Sequence, residues 1–233
     1  MTAAMTAPQP MRVVAVIAAF NEGPHIREVV LGTRPHVDAV VVVDDGSTDD
    51  TAPAAEAAGA EVVRHAGNRG KGVAVRSGLD AVRGRGFSHV LLMDGDLQHR
   101  PADVPRLIAA AAAGHADVIV GARSFDRSQM PRSRYWSNVI GSWALGGLVG
   151  VSIRDTQSGF RLIRLAALEP LVLTSTGYEI ETEMLIRLAR RGAVVREVPV
   201  ALAYDGAPSK LRPVRDTTRT CFLALFYRFL IRP

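Results

Sequence analysis

Cysteine is nearly missing from this chain: Cys221 stands alone among 233 residues. One thiol closes no internal disulfide, which fits a reducing, cytoplasmic compartment. Charge is missing from residues 1–10, a stretch with two prolines. It lacks the basic start and long apolar run of a secretion signal, and is expected to be a loose tail. Internal repeats and low-complexity linkers are absent as well. Residues 11–233 are therefore expected to form one sizeable domain, being too few for two. Aromatic side chains make up 6% of the chain. The basic residues are not interleaved with them on one obvious face, which argues against nucleic-acid binding.

What is present is globular: 48% of residues are hydrophobic and 22% charged. The net charge of +5 conceals an asymmetry. Residues 1–121 hold 11 Lys/Arg and 14 Asp/Glu, whereas residues 122–233 hold 17 and 9. Carboxylates in the first half suit a metal, and arginines in the second suit phosphates or an anionic membrane. Apolar runs at residues 12–19, 39–43, 89–93 and 117–120 have the length of buried strands, with a shorter candidate at 61–64. Helical stretches at 24–32, 49–58, 71–82 and 101–113 lie between them. Alternation of this kind predicts an α/β fold, a doubly wound and mainly parallel sheet flanked by helices. Residues 178–191 predict a further helix, acidic early and basic late as its dipole prefers. Residues 193–200 predict a strand.

Two later stretches raise the question of a membrane. Residues 135–153 carry no charge but include four glycines, three serines and an asparagine. That composition suits a buried or membrane-facing helical segment better than a span. Residues 216–231 mix Arg219 and Arg228 with Phe222, Leu223, Leu225, Phe226, Phe229 and Leu230. They predict a final helix that either closes the core or lies in a membrane interface.

Polar residues follow the strands. Asn21-Glu22, Asp44-Asp45 and Asp94-Gly95-Asp96 would line one rim, at the carboxyl ends of the strands where open α/β sheets bind ligands. Asp94 and Asp96, one residue apart, can face one hard cation, with Gln98 near enough to join by hydrogen bonding. An ordinary Asp-Gly turn is the competing reading. In residues 44–49, Ser47 or Thr48 reads as a helix cap, which does not account for two preceding aspartates. Residues 67–72 form a glycine-rich loop opening a helix, where backbone amides and Lys71 could meet a diphosphate. The loop has neither the spacing of a nucleoside-triphosphate P-loop nor a Ser or Thr after Lys71.

Residues 16–22, 44–49, 70–78, 93–99 and 155–162, in this order, resemble family 2 glycosyltransferases. Tyr178-Glu179-Ile180-Glu181 and residues 206–210 continue the likeness, which runs from about Val13 to Arg219. Within the family the chain is most similar to dolichyl- and polyprenyl-phosphate mannose or glucose synthases. The resemblance implies a GT-A fold with a C-terminal helical acceptor-side extension, the nucleotide-sugar half at residues 11–122 and the acceptor half at 123–233. It also implies a nucleotide-diphospho-sugar donor, GDP-mannose or UDP-glucose, and Mg²⁺ or Mn²⁺. Glu22, Asp44 and Asp45 would hold the nucleoside, beside the first motif, which includes Ala18 and Phe20. Asp94, Asp96 and Gln98 would form the metal and diphosphate site around Gly95, with Lys71 and its segment beside the donor. Arg123 and Arg134 would bind the acceptor phosphate, Arg161 would lie near sugar and acceptor, and Lys210 and Arg212 would reach phosphates. Two departures are mild. A Pro and often a Tyr are common where this chain has Ala18 to Phe20, and Ala is frequent where it has Gly95. Stopping at Pro233, the chain resembles the short, span-free members.

The expected reaction is an inverting displacement at the sugar C1 by a polyprenyl or dolichyl phosphate, at the cytoplasmic face of a membrane that the protein contacts peripherally. A hydroxyl acceptor, soluble or glycolipid, is the alternative. It requires a general base, for which Asp96 or Glu181 is the candidate. A non-catalytic nucleotide-sugar sensor or membrane-binding partner is a third reading, against which both metal carboxylates and the basic acceptor side argue.

Overall fold

The computed structural model describes residues 10–123, 153, 155, 156 and 158–201. The expected segments 135–153 and 216–231, and the residues Arg134, Lys210 and Arg212, lie outside these, apart from Ile153. The described chain forms strands β1 (Val13–Ala19), β2 (Ala39–Asp44), β3 (Glu61–Arg64), β4 (His89–Asp94), β5 (Val118–Arg123), β6 (Arg161–Arg164) and β7 (Val195–Val200). Its helices are α1 (Gly23–Thr33), α2 (Thr51–Ala57), α3 (Lys71–Val82), α4 (Val104–Ala112), α5 (Leu165–Leu168) and α6 (Ile180–Arg190).

The strands build one seven-stranded sheet in the order β3-β2-β1-β4-β6-β5-β7. β6 runs antiparallel to both of its neighbours, and the other pairings are parallel. Both faces are covered, which is why the parallel strands read as unbroken apolar runs. The pleat sorts them. Val13, Ala15 and Ile17 of β1 pack with Ile26, Val29 and Val30 of α1 and with Val104 and Leu107 of α4. Val14 and Val16 point the other way, into a second cluster with Ala74 and Val75 of α3 and Ile180, Met184 and Leu188 of α6.

Two differences from the sequence reading have physical causes. The helix expected over 101–113 begins as a 3-10 turn, Pro101–Asp103, and becomes α-helical at Val104. β6 was not expected as a strand. It has four residues, too few to show a period, and its flanking arginines mask the buried pair Leu162 and Ile163.

Register sets the rim. Ala19 pairs with Asp44 on one side, and Ala18 pairs with Asp94 on the other. The carboxyl ends of β2 and β4 thus flank that of β1. Arg161 opens β6 opposite Leu92 of β4 and Val120 of β5, at the same edge of the sheet.

Candidate active site

The rim loops are stitched together by side chains. Asn21 takes the left-handed conformation, φ 51°, and its side-chain carbonyl accepts from Thr48 N–H. Asn21 N–H donates to Ser47 Oγ and Glu22 N–H to Thr51 Oγ1, both at 2.8 Å. Gly23 N–H donates to Asp49 Oδ2. The capping expected of Ser47 or Thr48 is not what they do. α2 starts later, at Thr51, and the two residues instead join the β2–α2 turn to the β1–α1 turn. Glu22 is delivered buried beside Gly95, whose added Cβ would lie 3.4 Å from Glu22 Cγ.

Asp44 and Asp45 shape the second wall. Asp44 has no exposed surface. Its Oδ1 accepts from Ser47 N–H at 2.9 Å, and its Oδ2 lies 3.2 Å from Arg64 Nε. Asp45 accepts from the backbone N–H of Arg69 and of Gly70, at 3.0 and 2.8 Å, and contacts His65 Nδ1 at 2.7 Å. The other nitrogen of His65 meets Ser77 Oγ at 2.9 Å. A Ser-His-Asp relay therefore fixes the glycine-rich loop in place. Gly46 completes the wall with φ +76°, and any Cβ there would sit 2.3 Å from the carbonyl carbon of Gly67.

The charged centre lies next to β1. Lys71 Nζ is 2.6 Å from Asp94 Oδ1 and 2.5 Å from Glu181 Oε1. It also lies 5.4 Å from the centre of the Tyr178 ring. Burial alone would discharge Lys71, but the two carboxylates outweigh it and hold the ammonium above the usual lysine range. Burial would likewise lift Asp94, yet Lys71 keeps it below its ordinary value. Asp96 is different: burial and then the charge of Asp94 push its carboxyl up to about 6. Glu181 is raised by burial, against the pull of Lys71. Gln98 N–H donates to Asp96 Oδ1 at 3.1 Å. Asp94, Asp96 and Gln98 are all partly exposed.

Asp94 and Asp96, two partly exposed carboxylates one residue apart at the end of β4, are of the oxygen-donor type that a hard divalent cation takes. Among the described residues no group of three or more His, Cys, Asp or Glu forms a protein-only cage.

Arg123, at the end of β5, is held by Asp155, with Nε and Nη2 donating at 2.6 and 2.8 Å. Asp155 is fully buried. Burial would raise its carboxyl, but Arg123 overrides this and holds it low. Arg161 is also buried and donates to three backbone carbonyls: Ser158 at 2.7 Å, Glu181 at 2.6 Å and Thr156 at 2.8 Å. Burial draws it down to about 10, against the pull of Glu181 and Asp155, so it stays charged at neutral pH. Its bonds tie Thr156 and Ser158 to the start of α6. His99 stacks on Phe160, 5.2 Å between ring centres. Burial, and next Arg123, bring His99 to about 4, which keeps the ring neutral.

The structure thus gathers Glu22, Lys71, Asp94, Gly95 and Asp96 at the carboxyl ends of β1 and β4, with Ala18 paired to Asp94, Gln98 bonded to Asp96 and half-buried Phe20 just past β1, while Asp44 and Asp45 brace the neighbouring turns. Arg123 and Arg161 lie within networks of their own. His65, Ser77 and Asp155 were given no role by sequence reasoning. His65 is twenty residues from Asp45, and no local pattern links them.

A family model described as glycosyl transferase family 2 matches residues 14–171. Glycosyltransferase AglJ of Haloferax volcanii is 34% identical over 227 residues, covering 95% of this chain and 73% of the relative. The undecaprenyl-phosphate mannosyltransferase of Micrococcus luteus is 31% identical over 203 residues, covering 82% and 88%. Among solved structures, glucosyl-3-phosphoglycerate synthase from Mycobacterium tuberculosis, in complex with Mn²⁺ and UDP-glucose, superposes with a TM-score of 0.77 at 24% identity. It covers 96% of this chain and 81% of that one, and establishes likeness of fold, the GT-A arrangement of a mostly parallel sheet between helices. The motifs in order, the carboxylate rim and the family match agree: this chain belongs to glycosyl transferase family 2 and is a glycosyltransferase.

Proposed function

We propose that the protein transfers a sugar, mannose in the favoured case, from a nucleotide-diphospho-sugar to a polyprenyl or dolichyl phosphate, with inversion at C1. The observation that carries the reading is the charged cluster at the carboxyl ends of β1 and β4. There Lys71, rooted at the first turn of α3, contacts Asp94, and Asp96 follows two residues on, within the electrostatic influence of both. The mannosyltransferase relative, named for its undecaprenyl-phosphate acceptor, supports the lipid. GDP-mannose is the favoured donor and UDP-glucose the next.

In this reading Ala18, Phe20, Glu22, Asp44 and Asp45 hold the nucleoside, the two aspartates through the turns they build. Lys71 and the loop before it meet the diphosphate, together with Gly95. Asp94, Asp96 and Gln98 hold Mg²⁺ or Mn²⁺. When bound, that cation would neutralise the departing nucleoside diphosphate. Arg123, Arg134 and Arg161 order and charge the acceptor side, and Lys210 and Arg212 reach phosphates.

Acceptor chemistry favours phosphate over hydroxyl. A phosphate monoester is already ionised at neutral pH, so attack on C1 requires no protein base. A hydroxyl does require one. Of the two side chains suited to that task, Glu181 is paired with Lys71, and Asp96 is the carboxylate assigned to the divalent cation. Among the described residues no helix is long and apolar enough to cross a membrane. The lipid would be met by peripheral contact at the cytoplasmic face.

The test is turnover by purified protein with Mn²⁺ or Mg²⁺ and a short polyprenyl phosphate, with GDP-mannose and UDP-glucose side by side. A glycosyl lipid from one donor, abolished by EDTA and by Asp96→Ala, is expected. Glycosylation of water-soluble hydroxyl acceptors with no lipid phosphate present would overturn the acceptor assignment.

A further inference from the structure

Lys71 stands where a helix start favours an anion, yet its ammonium is folded onto protein carboxylates. Its backbone is the first residue of α3, whose N-terminal amides carry partial positive charge. A cation gains nothing from that end of a helix. What holds Nζ is the pair of short contacts to Asp94 Oδ1 and Glu181 Oε1, with the side chain 14% exposed. The fit is close on one side: a Cβ added at Gly159 would lie 2.7 Å from Asp94 Oδ2 and 3.0 Å from Lys71 Nζ. On the other side Asp94 remains 25% exposed to the cleft.

The same Asp94 is the carboxylate assigned above to the divalent cation, and the inference rests on that assignment. A divalent cation and an ammonium on one carboxylate repel each other strongly in a partly buried site. Each weakens the other's hold on it. We propose that Lys71 is an exchangeable counter-ion. It neutralises Asp94 while the donor is absent, and it moves to the donor diphosphate when the divalent cation takes its place. Glu181 is the positioning residue that parks it. Charge balance gives the exchange its direction. The cation supplies what Asp94 loses, and the arriving diphosphate supplies the negative charge that Lys71 needs. Cation and nucleoside diphosphate therefore bind cooperatively, each tightening the other by the same factor.

The experiment measures Mn²⁺ binding at fixed pH by electron paramagnetic resonance of free Mn²⁺, without nucleotide and with GDP or UDP, corrected for Mn²⁺–nucleotide complex. Wild-type protein is expected to bind Mn²⁺ weakly alone and at least about tenfold more tightly with the diphosphate, the scale on which an adjacent charge shifts such equilibria. Lys71→Met is expected to bind Mn²⁺ without nucleotide roughly tenfold or more tightly than wild type, with a smaller gain from nucleotide. Lys71→Gln keeps a polar group within reach of Asp94 and Glu181 but removes the charge, and is expected to tighten Mn²⁺ to a similar degree. It decides the matter alone if Lys71→Met does not fold. Nucleotide-free affinity that is unchanged or weaker in both variants would overturn the exchange, while the metal reading stands if nucleotide still tightens Mn²⁺. Absence of Mn²⁺ binding in every arm would overturn both.

Discussion

Replacing Gly70 by alanine separates two costs that the structure places on one residue. Gly70 precedes α3 with φ 96° and ψ 152°, a region that is almost exclusively glycine's. Holding any other residue there costs about 1–3 kcal/mol. The new Cβ would also sit 2.4 Å from Thr176 O, a backbone atom that cannot rotate away. Overpacking of this kind adds about 1–3 kcal/mol. The expected loss is therefore about 2–6 kcal/mol, against a total stability of about 5–15 kcal/mol. Relief would shift the loop and pull Gly70 N–H from Asp45 and Gly72 N–H from Thr176 O. Donor binding is then lost along with stability. Two controls divide the effect. Gly114 has φ +100° and open space around it, so Gly114→Ala carries backbone strain alone, about 1–2 kcal/mol. Gly67 lacks a left-handed φ, and a Cβ added there would meet nothing within 4 Å, so Gly67→Ala is expected to be neutral or stabilising by up to about 1 kcal/mol. The assay is urea unfolding followed by far-ultraviolet circular dichroism. If Gly70→Ala costs no more than Gly114→Ala, the contact with Thr176 contributes nothing and the loop is not braced as described.

Glu183→Gln should loosen the segment at Thr174 and Ser175, whose backbone N–H groups both donate to Glu183, with Arg187 as its ion-pair partner. Burial raises this carboxyl, but the bonds from Ser175 and Thr174 outweigh it, and the folded pKa lies below the ordinary 4.5. Its stabilisation is thus present above that value and fades as pH falls through the folded pKa. Urea melts should show a deficit of about 2 kcal/mol at pH 7 that narrows below pH 4; a deficit that persists undiminished in acid refutes the account. Arg123→Ala leaves fully buried Asp155 without its bidentate partner and should cost about 3–5 kcal/mol. Arg123→Lys should recover part of this, since one ammonium replaces one arm of the fork. A loss under about 1 kcal/mol for the alanine variant would contradict the pairing. His65→Ala cuts the relay to Asp45 and should raise the donor KM roughly tenfold with little change in kcat, while speeding amide exchange at Arg69 and Gly70. His65→Gln should restore part of the binding, and equal losses in kcat and KM terms would point to chemistry instead.

The parallel strands and the rim were legible because they rest on local signals: unbroken apolar runs of buried-strand length, each ending in a polar residue. Asp94 and Asp96 needed nothing more than β4 and the turn after it. What escaped depends on distance in sequence. β6 is a strand because β4 and β5 leave a gap that four residues fill, and neither neighbour is visible from within that tetrapeptide. Arg161 is expected near sugar and acceptor, and its three bonds to the carbonyls of Thr156, Ser158 and Glu181 are a further task that no local pattern discloses. Charge alone cannot tell a side chain that faces substrate from one that clips backbone. The same holds for Asp155, whose partner Arg123 is 32 residues away.

The motif residues divide by whether their charge is already spent. A carboxylate offers about four acceptor positions. Asp45 has used three, on Arg69, Gly70 and His65, all to fix the loop that carries Lys71. Asp44 is sealed beneath its own turn. Lys71, by contrast, is paired with groups that a substrate and its cation could satisfy instead. The first kind of residue makes the cleft rigid before a ligand arrives. The second kind supplies charges that can be handed over when it does. A site built from the first kind alone would be well shaped and inert, whereas one built from the second alone would lack a defined geometry. Here the two meet at consecutive residues: Gly70 is anchored through its N–H to Asp45, and Lys71 beside it carries its ammonium to Asp94.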